Sequence, residues 1–301
     1  MTRGLRFGVF LAPAAQDPRA ILERARAAER AGFDYISIQD HPYLPEFLDT
    51  LGLIAYLAGK TQRVRLMTNV VNLPLRPAPM LAKASATIDL LSGGRFELGL
   101  GGGRDWDAIA GLGGPRWLPG ETIHAVSEAI DTLRALWQPG GVITNPGGLY
   151  GVANARSGPA PAHRVGIWLG GSGPRMLDLL GRKADGWIAP LSTDYSTKPA
   201  AHDRIDAGAR SAGRDPSEVH RAIQLVGSVT RTPGAQSRPR SGPGTQRIRT
   251  TPEHWGQIIR EFASEERFDT INFIPQPESI DQIRLFGEEV IPLARAAGHE
   301  A

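Results

Sequence analysis

The chain has 301 residues, 41% hydrophobic and 22% charged, with a formal net charge of +3 and no cysteine. That composition is one of an ordinary globular protein, and the absence of cysteine excludes disulfides, thiolate metal sites and a cysteine nucleophile. No run approaches the roughly 18 consecutive apolar residues of a membrane span, and the small charge excess gives no reason to invoke nucleic acid.

Leu5 to Leu11 is predicted as a strand rather than a signal peptide, and Asp17-Pro18 opens a helix with Ile21, Ala25 and Ala28 at helical spacing. Phe33 to Ile38 is a second strand, 47–61 a helix, 64–71 a third strand and 78–91 a helix stopped by Ser92-Gly93-Gly94. A fourth strand spans 95–100, and after a loop holding Trp106 and Trp117 a helix covers 121–137. Residues 138–163, rich in Gly, Pro and Asn, read as a surface insertion with two extended pieces, 141–144 and 149–152, that suit a hairpin. Then come strand 165–169, helix 175–182, strand 184–189, helix 198–212, strand 221–230, helix 252–264, strand 270–274 and a last helix 280–297. Eight strand–helix pairs in regular alternation predict a single (β/α)8 barrel over 1–301, with chemistry at the C-terminal strand ends. Residues 231–251, rich in Gly, Pro, Ser and Arg, lack an apolar period and read as a mobile loop, either a lid or a solvated segment.

Four strand ends carry candidate chemistry. The fifth runs into Gly170-Gly171-Ser172-Gly173-Pro174-Arg175, a glycine turn at a helix N-terminus where backbone N–H groups and the helix dipole suit an anion, with Arg175 adding charge. The competing reading is a turn that needs glycine for its dihedrals alone. The second ends in Gln39-Asp40-His41-Pro42-Tyr43, where Asp40 would orient the ring and His41 would act as acid, base or hydrogen-bond donor; the alternative is a capped turn and a surface histidine. The third offers Asn69, Val70 and Asn72, with Arg76 to fix a neighbouring loop, and the fourth offers Gly101, Gly102 and Gly103, followed by Arg104, Asp105 and Trp106 as substrate contacts. His41 is the one histidine of seven at a predicted C-terminal strand end, so no metal site is expected. Trp106, Trp117 and the 231–251 loop are expected to wall the pocket.

Gly170 to Leu177, Gly181-Arg182 and Ala184-Asp185-Gly186-Trp187, together with Ala31-Gly32-Phe33-Asp34, Gln39-Asp40-His41-Pro42, Arg76-Pro77 with Leu81 to Ala84, and Leu91 to Gly101, resemble bacterial luciferase-like monooxygenases and their deazaflavin-dependent relatives. The composition predicts a cytosolic, cytoplasmic protein, and the resemblance implies a luciferase-like barrel, a homodimer and a flavin-type cofactor whose phosphate sits on Gly170, Gly171, Ser172 and Gly173. It places Asn69 and Val70 behind the ring, at a bulge with a non-proline cis peptide, and His41 beside the reactive centre. An Asp-His motif of this kind ranks coenzyme F420 above FMN. With F420 the activity is hydride transfer to or from a small organic substrate. The alternatives are a monooxygenase using reduced FMN and a partner flavin reductase, a binder that holds flavin without turnover, and an unrelated barrel enzyme binding a sugar phosphate at the same turn. Sugar-phosphate dehydrogenases of the family carry a glutamate just after the fourth-strand glycines; Arg104 stands there, which puts a sugar-phosphate substrate in doubt.

Overall fold

The computed structural model describes residues 4–232, 238–239 and 241–296. Eight strands close a parallel barrel: β1 (Arg6–Leu11), β2 (Tyr35–Ile38), β3 (Arg65–Thr68), β4 (Phe96–Gly101), β5 (Ile167–Gly170), β6 (Gly186–Ile188), β7 (His220–Val229) and β8 (Thr270–Pro275). Each pairs with the next, and β8 returns to β1 with Arg6 beside Thr270 and Val9 beside Phe273. Strands buried on both faces read as near-continuous apolar runs, which is why they were legible.

The helices form the outer ring: α1 (Pro18–Arg30), α2 (Thr50–Ala58), α3 (Ala78–Ser92), α4 (Pro119–Leu136), α5 (Pro174–Lys183), α6 (Lys198–Ser211), α7 (Pro252–Glu266) and α8 (Ile280–Leu285), the last continuing through a π turn into Ile291–Ala296. Residue 297, the expected end of that helix, lies outside the described residues. Local chemistry sets the boundaries. Asp17 caps α1 through the Ala20 N–H at 3.1 Å with Pro18 at the first position, and Gly93, at φ 68°, ends α3. Asp49 caps α2 through the Gly52 N–H at 2.7 Å, so that helix begins at Thr50 rather than at the expected 47. A short helix, Trp106–Gly111, capped by Asp105, occupies the expected loop.

Three features bear on the site. The third predicted strand is interrupted: after β3 comes a cis Asn69–Val70 peptide, and Val71–Asn72 pairs with Leu100 and Gly101 of β4. The insertion is an antiparallel hairpin, Val142–Asn145 with Val152–Arg156, its second strand three residues later than expected. Glu128 accepts the N–H groups of Leu149 and Tyr150, tying this insertion to α4. Finally, the expected mobile loop has structure in its second half. Arg247–Thr250 is a strand parallel to the end of β7, with Ile248 buried, and Gly242 exchanges hydrogen bonds with Asp194 and Tyr195. Isolated Ile248 gives no periodic signal, so composition misled there. Residues 233–237 and 240 of that loop lie outside the described residues.

Inside the barrel, Trp168 is 2% exposed and stacks on His220 at 5.4 Å, closing the N-terminal half. Above it lies a polar layer. Asn69 donates to Gln224 at 2.8 Å and to Ser37 at 3.3 Å, and Ser37 donates to Asn272 at 3.1 Å. This layer is the floor of the functional cavity.

Candidate active site

A cavity of about 700 Å³ opens at the C-terminal strand ends, lined by residues following β2, β3, β4, β5 and β6 and by Gln224 of β7. It brings together Asp40, His41, Asn69, Val70, Gly101, Gly102, Gly170, Gly171 and Ser172, all expected from the sequence. Gly173 and Arg175 do not line it. The exposed Arg175 guanidinium lies beside Gly120 on α4, outside the lining of this cavity.

Asp40 requires a correction. Its carboxylate, 2% exposed, accepts Arg76 Nε and Nη2 at 2.8 Å each and the Asn72 N–H at 2.9 Å. Held by these three hydrogen bonds, it makes none to His41 among the described residues. Asp40 is a clamp between the ends of β2 and β3, and Arg76 fixes that loop as expected. Burial lowers the pKa of Arg76, but the hydrogen bonds and charges of Asp40 and Asp49 outweigh it and hold the guanidinium above its ordinary value.

Tyr43 takes the role expected of Asp40. Its hydroxyl lies 2.7 Å from His41 Nδ1, while Nε2 has no partner among the described residues. Burial depresses the His41 pKa, with the charge of Arg104 adding to it and the charges of Asp40 and Asp105 opposing, so the ring is neutral near pH 7. Burial also raises the Tyr43 pKa, which keeps its proton on. When Tyr43 donates to Nδ1, the histidine proton resides on Nε2. Tyr43 stands two residues after a candidate histidine, the one signal that pointed to it. Gln224, a polar residue inside the apolar run Ala222 to Val226, was likewise legible and passed over.

The glycines divide into two kinds. A Cβ at Gly101 would stand 2.6 Å from Val70 Cγ2, one at Gly102 2.5 Å from Thr122 Cγ2, and one at Gly171 2.6 Å from Met176 Cγ. Packing therefore accounts for these three, not the dihedrals of the competing reading, since none of them has a positive φ. Gly173 differs: its φ is −70° and nothing lies within 4 Å of a Cβ built there, so neither dihedral nor packing demands glycine. The N–H groups of Gly171, Ser172 and Gly173 donate to no group among the described residues. Orphan donors at a helix N-terminus, with open space before them, fit a phosphate.

Outward from His41 the cavity continues into a space of about 770 Å³ lined by Phe47, Arg104, Trp106 and Arg116. Arg116 pairs with Asp107, whereas Arg104 has no ion pair among the described residues. Trp106 is placed as expected. Trp117 is not: it is 9% exposed, packed edge-on between Trp106 and Tyr150 in the core. No described residue of 231–251 lines either space. A hollow of about 690 Å³ at the opposite end of the barrel is a structural ion network, in which Glu97 pairs with Arg65 and Glu29 accepts the N–H groups of Gln62, Arg63 and Val64.

The comparisons agree with this geometry. A family model described as luciferase-like monooxygenase matches residues 5–240. An F420-dependent glucose-6-phosphate dehydrogenase from Kribbella flavida is 32% identical over 230 residues, covering 72% of this chain and 67% of the relative. A 5,10-methylenetetrahydromethanopterin reductase from Methanolobus tindarius is 33% identical over 226 residues, covering 74% and 65%. Among solved structures, an F420-dependent secondary alcohol dehydrogenase in complex with an F420-acetone adduct superposes with TM-score 0.82 at 20% identity, covering 97% of this chain and 99% of that one. With the cis Asn69–Val70 peptide, the glycine turn and the Asp40-His41 strand end in one closed barrel, the chain belongs to the luciferase-like monooxygenase family.

Proposed function

We propose that the chain is an F420-dependent oxidoreductase that moves a hydride between the deazaflavin and a carbonyl or unsaturated small molecule. One observation carries the reading: an imidazole whose Nε2 has no partner among the described residues shares a cavity of about 700 Å³ with a turn whose N–H groups donate to no described group. When bound, the deazaflavin supplies or accepts the hydride. The protein's residues do the rest. The N–H groups of Gly171, Ser172 and Gly173 would hold the phosphate and Val70 would back the ring. His41 would give its Nε2 proton to the substrate oxygen as the hydride arrives or, in the other tautomer with Nδ1–H donating to Tyr43, take a proton at Nε2 as the hydride leaves. The clamp of Asp40 on Arg76 fixes the strand end that presents His41.

The relatives above 30% identity are named as a dehydrogenase and a reductase, the former for F420, which favours this cofactor over FMN. Arg104 at the place where the resemblance implies a glutamate argues against carrying the sugar-phosphate substrate over. No helix among the described residues is long and apolar enough to cross a membrane, and a cytoplasmic homodimer is part of the proposal. Turnover of F420 with a panel of alcohols, ketones and enones tests it: a change of deazaflavin absorbance with at least one substrate class supports it, and tight F420 binding with no turnover would make the chain a binder.

A further inference from the structure

A second cavity, of about 290 Å³, lies on the far side of the glycine turn from His41. Ser172 lines both cavities, so the turn is their shared wall. The second is lined by Pro174 of α5, Trp187, Thr197, and Lys198 and Arg204 of α6. Lys198 is 2% exposed. Its ammonium donates to the Thr193 carbonyl at 3.3 Å and sits 4.3 Å from the centre of the Tyr195 ring, but no carboxylate pairs with it among the described residues.

Burying an ammonium without an opposite charge is costly, and buried charges are ordinarily paired. Burial lowers the pKa of Lys198 to about 8, and the charge of Asp194 offsets this only in part. Arg204, exposed, lines the same cavity and also makes no ion pair among the described residues. Lys198 and Arg204 therefore line one hollow beside the turn, and apart from the partial offset by Asp194 no described residue forms an ion pair with either.

We propose that this hollow binds the carboxylate-bearing tail that a cofactor carries beyond the phosphate seated on the turn, with Lys198 and Arg204 as its charge partners. The inference rests on the F420 reading above and extends it. FMN ends at its phosphate, whereas F420 continues from a phosphodiester through lactate into glutamate carboxylates. Discrimination between the two cofactors is thereby assigned to the wall behind the turn rather than to the ring.

The test compares F420 with the same deazaflavin truncated to a 5′-phosphate, each titrated by fluorescence quenching into wild type, Lys198→Met and Arg204→Ala, with thermal melts to confirm folding. Charge-assisted pairing predicts that wild type binds F420 at least about tenfold more tightly than the truncated form. That ratio falls to about twofold or threefold in Lys198→Met and by a smaller factor in Arg204→Ala, while affinity for the truncated form holds. Equal affinities in wild type, or a ratio unchanged in both variants, overturn the tail site and leave the F420 reading standing. Failure of wild type to bind either deazaflavin overturns both. A parallel titration with inorganic phosphate identifies a free-anion site: phosphate binding lost in Lys198→Met with the F420 ratio unmoved also overturns the tail assignment.

Discussion

The guanidinium of Arg76 grips the carboxylate of Asp40 with two hydrogen bonds of 2.8 Å, Nε to Oδ2 and Nη2 to Oδ1. This pair is the joint between β2, which ends before His41, and the segment that follows the cis Asn69–Val70 peptide. Removing one partner leaves the other charge in a site that is 1% exposed at the Asp40 side chain and 17% at Arg76. Asp40→Ala is therefore expected to cost about 3 kcal/mol in urea denaturation, as for other broken buried pairs, and to lower turnover by displacing His41. Loss of turnover with full stability would return Asp40 to a direct chemical role.

His41 and Tyr43 separate by kinetics. His41→Ala is expected to reduce kcat by about 10²- to 10⁴-fold, the usual contribution of a positioned acid–base group, with F420 affinity nearly unchanged. Tyr43→Phe removes only the 2.7 Å contact to Nδ1, so turnover falls by a few fold and its pH profile shifts. Equal losses in the two variants would mean that Tyr43, not His41, delivers the proton.

The glycine turn calls for a choice of position. Gly171→Val would drive a methyl into Met176 and disturb α5, so loss of cofactor binding there would say little. Gly173→Val meets open space and an ordinary φ. Its melting temperature should stay within a few degrees of wild type while F420 affinity falls at least about tenfold, roughly 1.4 kcal/mol. Undiminished affinity would remove the phosphate from this turn.

How far the sequence revealed all this can be seen residue by residue. The barrel was legible because parallel strands buried on both faces are apolar runs and the caps at Asp17 and Gly93 follow local rules. The site was legible as a set of strand ends, including His41 and Ser172, since a barrel fixes where strand ends meet. Side-chain pairing was not: nothing local says that Asp40 turns to Arg76, 36 residues on, rather than to its neighbour His41. Lys198 escaped for the same reason, because a lysine opening a helix reads as solvated until its burial against the Tyr195 ring is known.

Acid lability has an identifiable source in His202. It is fully buried, edge-on to Trp187 and Phe268, and neither ring nitrogen has a hydrogen-bond partner among the described residues. Burial, with the charges of Arg221, Arg267 and Lys198 adding to it, lowers its pKa from 6.5 to about 2. Between those values the unfolded chain binds a proton that the native state excludes, so stability rises with pH across the window and is lost as pH falls below 6.5. The slope from this one group is up to about 1.4 kcal/mol per pH unit. His202→Leu should flatten the fall in melting temperature between pH 6.5 and 4.5; an unchanged slope would assign acid unfolding to other groups.

The most direct test of the central claim is a fluorescence-quenching titration of the purified protein with F420 and, separately, with oxidised and reduced FMN at matched ionic strength. Saturable binding of F420 at least about tenfold tighter than either form of FMN is the predicted result. Preference for FMN would contradict it and turn the same barrel toward reduced-flavin oxygen chemistry, while binding of neither would leave the fold standing and remove the function.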